Sequence, residues 1–200
     1  MEIHDIIKSM KNREAYMENT VLKTMLERSS IRAYTDEAIT DGELAALKKA
    51  ALSAPTAMNR QDQRFIFVTA KDKLDLLENA VMQGIIESGN KEFAERIKSR
   101  GGRTLYNAQL VVIIAAKEAH FSRVDAGIAV ENLALCAKSL GLDSVILGMP
   151  EGVFAGAHAE EMKKAFLFPE GCSFQIAIGI GHRAMDKEPH EWNEEHVIEI

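Results

Sequence analysis

Four short runs of aliphatic, β-branched and aromatic residues constrain this chain more than any other feature: FIFV at 65–68, LVVII at 110–114, SVIL at 144–147 and FQIAI at 174–178. A strand with one face in water alternates apolar and polar residues. The 110–114 run does not alternate, so the sheet it joins must be covered on both faces. Helical patterns lie between the runs. Thr40-Asp41-Gly42-Glu43 is a capping-box signature opening a helix through Leu44, Leu47 and Ala51. Ser122-Arg123-Val124-Asp125 reads as a second one, opening a long helix that ends at Leu140 before Gly141. Val21, Leu22, Met25 and Leu26 mark an earlier helix ending near Arg28. Leu74, Leu77 and Val81 mark another, and Met162, Ala165 and Phe166 a later one. Residues 82–103 are polar, contain four glycines and show only weak helical periodicity near Phe93 and Ile97, which reads as a mobile excursion or lid. Without a clean βαβ series, these interleaved elements predict an α+β chain, an α/β sandwich.

At 200 residues with 46% hydrophobic and 27% charged content, the chain is expected to form one globular domain. The net charge of -6 argues against nucleic acid as a partner. Cys136 and Cys172 form no CxxC pair and suggest reduced thiols. The first sixteen residues hold no apolar stretch of signal-peptide length. The longest apolar run, 110–116, is far below the roughly 20 residues that span a bilayer. The expectation is a cytoplasmic protein with no membrane association.

Three loops carry candidate chemistry. Arg28-Ser29-Ser30-Ile31-Arg32 comes after a helix and sets two guanidiniums four residues apart around two hydroxyls, a compact set of donors for phosphate. Pro55-Thr56-Ala57-Met58-Asn59-Arg60-Gln61 leads into the 65–68 run, and Asn59 and Gln61 each offer a donor and an acceptor for the polar edge of a heterocycle. Leu147-Gly148-Met149-Pro150 ends a strand on bare backbone, where amides can approach a flat ligand. Each loop also reads as an ordinary connection. Gly179-Ile180-Gly181-His182-Arg183-Ala184 fits a relaxed dinucleotide fingerprint, but no helix can open after it and no second half of a βαβ unit remains. His190 and His196, six apart, have the wrong spacing for one helical face and lack an HExxH order, so no metal site is expected. No nucleophile elbow, P-loop, acid pair or triad stands out. An enzyme of this composition would take its chemistry from a bound cofactor.

Taken together, RSSIRAY at 28–34, SAPTAMNRQDQRFIFV at 53–68, GIAVENLALCAKSLGLDSVILG at 127–148 and the final strand QIAIGIGHRA occur in the order of the FMN-dependent nitroreductase family, which the chain resembles over 17–200. Residues 1–16 fall outside the match as an N-terminal extension. The resemblance implies a nitroreductase-like sandwich, a central, mostly antiparallel sheet flanked by helices, in a homodimer with FMN at the interface. Arg28, Ser29, Ser30 and Arg32 then match the phosphate and ribityl segment. Pro55, Thr56, Asn59 and Gln61 match the loop that the partner subunit lays against the flavin, and Leu147, Gly148 and Met149 the strand end near its N5 atom. No side chain is assigned as catalytic.

The chain departs from the family's pattern in three places. Asp62 and Gln63 stand where Pro-Trp usually comes after Asn-x-Gln. The basic residue that closes on the phosphate after the last strand is sought among Lys187, His190 and their neighbours, with His190 the preferred candidate. Arg103 is the nearest basic residue before the 110–114 run and a candidate for the flavin O2 edge. The implied activity is reduction of a small acceptor, such as a nitroaromatic or quinone, by NADH or NADPH in a ping-pong cycle. The alternatives are a flavin-binding redox sensor without turnover and a flavin dehydrogenase acting on another substrate.

Overall fold

A computed structural model describes residues 19–99 and 101–200; the expected extension, residues 1–16, lies outside them. The elements run α1 (Thr20–Glu27), α2 (Asp41–Leu52), β1 (Gln63–Val68), α3 (Lys71–Glu87), α4 (Lys91–Ser99), β2 (Leu110–Lys117), α5 (Ser122–Ser139), β3 (Asp143–Leu147), α6 (Glu151–Ala155), α7 (Ala159–Ala165) and β4 (Cys172–Gly181). The four strands form one antiparallel sheet in the order β1-β2-β4-β3. The architecture is the expected α+β sandwich.

Strand β2 runs through the middle of the core, and every residue from Leu110 to Ala116 is buried. Successive side chains point to opposite faces, so β2 feeds two separate cores. Val111 and Ile113 pack with Leu77, Val81, Ile85, Phe154 and Phe166 of α3, α6 and the α7 end. Leu110, Val112 and Ile114 pack with Leu47 and Ala51 of α2 and with Ala126, Ala129, Leu133 and Ala137 of α5. Small residues on that stripe of α5 let the helix lie close against the sheet. This double coverage is what the unbroken apolar run demanded.

Local signals explain most boundaries. Thr40 Oγ1 accepts the Glu43 N–H at 3.3 Å, and Glu43 Oε2 accepts the Thr40 N–H at 2.8 Å, completing the capping box of α2. Helix α5 stops in a Schellman pattern: Leu142 N–H reaches Ala137 O and Gly141 N–H reaches Lys138 O, with Gly141 at φ +81°. The two glycines of the fingerprint-like GIGHRA lie inside β4. A Cβ on Gly179 would stand 3.1 Å from Ala108 Cβ, and one on Gly181 3.0 Å from the Tyr34 ring. They make room for neighbours and bind no dinucleotide turn.

Two expectations are corrected. Ser122–Asp125 is not a capping box, because the N-cap residue is Phe121 and makes no side-chain cap. Ser122 Oγ donates to Lys117 O at 2.7 Å, and Asp125 takes a partner elsewhere in the chain. Residues 82–103, expected to show only weak helical periodicity, are helical over 82–87 and 91–99. They complete α3 and form α4, and both helices place apolar residues in the core, with Ile85 and Ile97 buried. The sparse apolar spacing hid this because each helix sinks only a narrow stripe. Glu78 of α3 fastens the segment between α4 and β2: Oε1 accepts from the Thr104 backbone and hydroxyl, and Oε2 from Leu105 N–H at 3.0 Å.

Thr104 is fully buried, so Glu78→Ala strands its donors without water. Urea unfolding of that variant should show a loss of about 2–3 kcal/mol; an unchanged midpoint would refute this role. Thr40→Ala should cost about 1 kcal/mol at neutral pH. Hydrogen bonds from the Thr40 backbone and hydroxyl hold the Glu43 carboxyl below its ordinary pKa. A depressed carboxylate stabilises the fold above its unfolded pKa and loses that contribution as pH falls through the folded value. The gap between wild type and Thr40→Ala should therefore narrow in acid, as read from melting curves at stepped pH.

Candidate functional site

The segment after α1 runs along the open edge of β3. Ile31 N–H donates to Ser144 O at 3.1 Å, and Ser30 bridges Ser144 in parallel. Tyr34 is buried, and its hydroxyl donates to Ile31 O at 2.9 Å and Gly179 O at 3.3 Å. Burial pushes that phenol far above its ordinary pKa, and the Asp143 charge adds to the effect, so it remains a neutral structural donor.

The chain leaving β4 doubles back along the same segment. Thr35 N–H reaches His182 O, Ala184 N–H reaches Ala33 O, and Tyr34 pairs Arg183 antiparallel. Carrying that register four residues further puts Lys187 opposite Ser30. Ser29 Oγ indeed donates to Lys187 O at 3.2 Å, and Lys187 Nζ lies 3.5 Å from Ser30 O. Arg32 Nη1 reaches the same carbonyl at 3.4 Å. Two cations thus share one neutral acceptor through long bonds that a doubly charged anion would outcompete.

Arg183 is not available for that task. It grips the buried Asp143 carboxylate with two bonds of 2.6 and 2.7 Å, which raise its pKa. His190 is exposed and makes no hydrogen bond to the 28–32 segment. Lys187, and not the preferred candidate His190, is the basic residue that the structure sets against Ser29 and Ser30. The signal that reveals it is strand register. Arg28 caps α1 and lies with Nε 3.7 Å from Glu131 of α5.

The end of β3 is open. A methyl group on Gly148 would meet no atom within 4 Å. Among the described residues, neither Gly148 N–H nor Met149 N–H donates to an acceptor. Leu147 is buried beneath them and Met149 half-buried beside them.

The loop at 55–61 stands before β1, at the other edge of the sheet. Three of its non-glycine residues adopt left-handed backbone: Met58 at φ 53°, Asn59 at 53° and Gln61 at 50°. Such conformations persist only where surrounding bonds impose them. Here Ala57 N–H donates to Asp125 Oδ1 of α5 at 3.0 Å, Gln61 N–H to Thr56 Oγ1 at 3.0 Å and Asn59 N–H to Thr56 O at 2.9 Å. Arg60 Nε pairs with Asp62 Oδ2 at 2.7 Å. Gln61 Nε2 donates to Asn59 Oδ1 at 2.8 Å, and the Asn59 amide donor and the Gln61 amide oxygen have no hydrogen-bond partner among the described residues. Pro55 and Met58 are exposed. Asp125, whose sequence position suggested only a helix cap, anchors this loop instead.

Among the described residues no hydrogen bond joins the 55–61 loop to the 28–32 segment or to residues 147–149. One chain therefore brings the 28–32 segment to the β3 edge beside the strand end, and holds the amide-bearing loop on a different edge. Arg103 Nη1 lies 3.3 Å from Asn107 Oδ1 and reaches neither part. His196 Nε2 contacts Asn193 Nδ2 in the Glu194–His196 turn, and no cluster of three metal-binding side chains forms among the described residues. No helix of the described residues is long and apolar enough to cross a membrane.

The nitroreductase family model matches residues 25–182. A crystal structure of a nitroreductase with bound FMN from Desulfitobacterium hafniense superposes with a TM-score of 0.88 at 32% identity, covering 91% of this chain and 98% of that one. An Archaeoglobus fulgidus protein whose name proposes an NADH dehydrogenase/NAD(P)H nitroreductase is 30% identical over 181 residues, 85% of this chain and 89% of its own length. The FMN reductase [NAD(P)H] of Bacillus subtilis is 30% identical over 171 residues, 83% of this chain and 67% of its own. The matched span takes in the strained loop, the β3 edge and the strand end alike, and the chain belongs to the nitroreductase family.

Proposed function

We propose that this protein is an FMN-dependent oxidoreductase that uses NADH or NADPH to reduce a small acceptor such as a quinone or nitroaromatic, as a homodimer. The observation that carries the reading is the donor set along β3. Arg28, Ser29, Ser30, Arg32 and Lys187 suit a phosphate, and the free Gly148 and Met149 amides open onto space that a planar ring fits. These residues would hold FMN, and the flavin would supply the hydride-transfer chemistry between nicotinamide and acceptor, in the ping-pong order of the reading.

The chain's own residues bind, orient and polarise. Arg32 and Lys187 would turn their donors from the Ser30 carbonyl to the phosphate oxygens, and Ser29 fixes the backbone beneath them through its bond to Lys187 O. The strand-end amides meet the ring without an intervening side chain. The unengaged Asn59 donor and Gln61 acceptor match the donor and acceptor edge of a flavin pyrimidine. Because the loop is not joined to the β3 edge within one chain, the reading gives it to a second copy. Exposed Val21, Leu22 and Met25 on α1 and Val124 and Ile128 on α5 provide apolar surface for such an interface. Asp62, tied to Arg60, and Gln63, sunk in β1, leave Met58 and its neighbours open to a ligand. That openness supports turnover over a flavin store.

Purified protein should be yellow or take up FMN, and anaerobic NADH or NADPH should bleach its visible band, which a quinone then restores. Colourless protein that ignores added FMN would sink the proposal. Asp125→Ala removes the carboxylate that anchors the loop through Ala57 N–H, next to its left-handed residues. It should weaken FMN binding by about tenfold, the value of one charge-assisted hydrogen bond. Fluorescence titration of the apoprotein reads this, with circular dichroism confirming an unchanged fold.

A further inference from the structure

Strand β1 opens on a buried side chain without a partner. Gln63 is 9% exposed, and its amide Nε2 has no hydrogen-bond acceptor among the described residues. A buried donor left unpaired costs stability, so its presence calls for something that accepts from it. Gln63 also stands at one of the positions where the chain departs from the family's pattern. It pairs with Ala116 on the first rung of the β1–β2 ladder, on the strand face that Phe65 and Phe67 share.

At this rung lies a pocket of about 90 Å³ between the 57–62 loop and the start of α5. Met58 and Arg60 line it from the loop, His120, Phe121 and Asp125 from the entry to α5, and Gln63 from the sheet. A hollow of that size has room for one small polar group or a few waters. Its lining selects the group. Arg60 Nε is spent on Asp62 at 2.7 Å, and the Asp125 carboxylate, which accepts from Ala57 N–H, has no cation against it among the described residues. An anion would meet that carboxylate at short range, whereas a neutral oxygen would not. The His120 and Phe121 rings meet edge to face, with centroids 4.5 Å apart, and both residues are exposed. Together with exposed Met58 they offer apolar surface to a ring.

We infer that this pocket takes the neutral oxygen of an aromatic acceptor. A carbonyl or nitro oxygen accepts from Gln63 Nε2 while the ring rests on Phe121 and Met58, and ring carboxylates are turned away. The inference rests on the proposed function and names how its acceptor is chosen. The loop that one copy lays against the flavin of another carries this pocket with it. One copy therefore holds the cofactor and the other the oxygen of the acceptor.

Three ring probes that take no electrons separate these chemistries. 4-Fluoroacetophenone carries a neutral carbonyl, 4-fluorobenzoate a carboxylate and fluorobenzene no oxygen. Fluorine NMR titration of the FMN-loaded protein should find the ketone bound about tenfold more tightly than fluorobenzene, the value of one hydrogen bond. The benzoate should bind most weakly. Gln63→Leu keeps the bulk and removes the donor, so the ketone's advantage over fluorobenzene should vanish. The kcat/KM for 1,4-benzoquinone should fall about tenfold in the same variant. Gln63→Met, unbranched like glutamine, should behave alike. Asp62→Asn frees Arg60 and should raise the affinity for the benzoate. Equal binding of the three probes to wild type, or a ketone preference that survives both Gln63 variants, overturns the inference alone. Protein that takes up no FMN and oxidises neither NADH nor NADPH overturns the proposed function, and this inference with it.

Discussion

A four-stranded antiparallel sheet whose central strand is buried on both faces has no face left for a ligand. Every residue of β2 from Leu110 to Ala116 is committed to one core or the other, and helices cover both sides. Chemistry is thereby confined to the edges and ends of the sheet. The β3 edge receives the 28–32 segment and the chain returning from β4, the β3 end carries bare amides, and the β1 side carries the loop and the pocket. Recognition groups sit where the layers stop, and rigid layers beneath them keep their spacing.

Helix α5 is the part that ties these regions to one another. Its buried alanines seat it on the sheet, Asp125 in its first turn holds the 55–61 loop, and Glu131 lies beside Arg28. The two contacts are six residues apart, about 9 Å along the axis. One helix thus contacts both Arg28 of the 28–32 segment and the strained loop. The loop's left-handed residues cost energy on their own; Thr56 accepts the backbone donors of Asn59 and Gln61, and Asp125 anchors the neighbouring Ala57 N–H. Across the sheet, the Asp143–Arg183 pair fixes the start of β3 against the end of β4, and this sets the register that brings Lys187 to Ser30.

Much of the fold was legible because local chemistry and tertiary demand agreed. The unbroken 110–114 run required two covered faces, Thr40 and Glu43 found each other within one helical turn, and Gly141 ended α5 at a left-handed backbone. Legibility failed where a distant partner outcompeted a local one. Asp125 sits where a capping box would use it, yet its carboxylate takes an N–H donor 68 residues away. Residues 82–103 read as weakly periodic because Ile85 and Ile97 are the only deeply buried anchors among their described residues, too few to make a visible period. Arg28, Ser29, Ser30 and Arg32 were visible as a candidate anion-binding cluster, while Lys187 was named only behind His190, since a lysine in a polar tail carries no local mark of its register.

The sequence by itself determined the layer architecture, the helix that α5 became and the residue types available for phosphate and for a heterocycle's edge. These arise from periodicity, capping and side-chain chemistry, which act over a few residues. Only the tertiary structure decided which cation stands at Ser30, that Arg183 is spent on Asp143, and that the amide loop and the β3 edge remain unjoined within one chain. Those outcomes depend on strand register and on competition among donors and acceptors far apart in sequence. Such competition is resolved only when the chain has closed on itself.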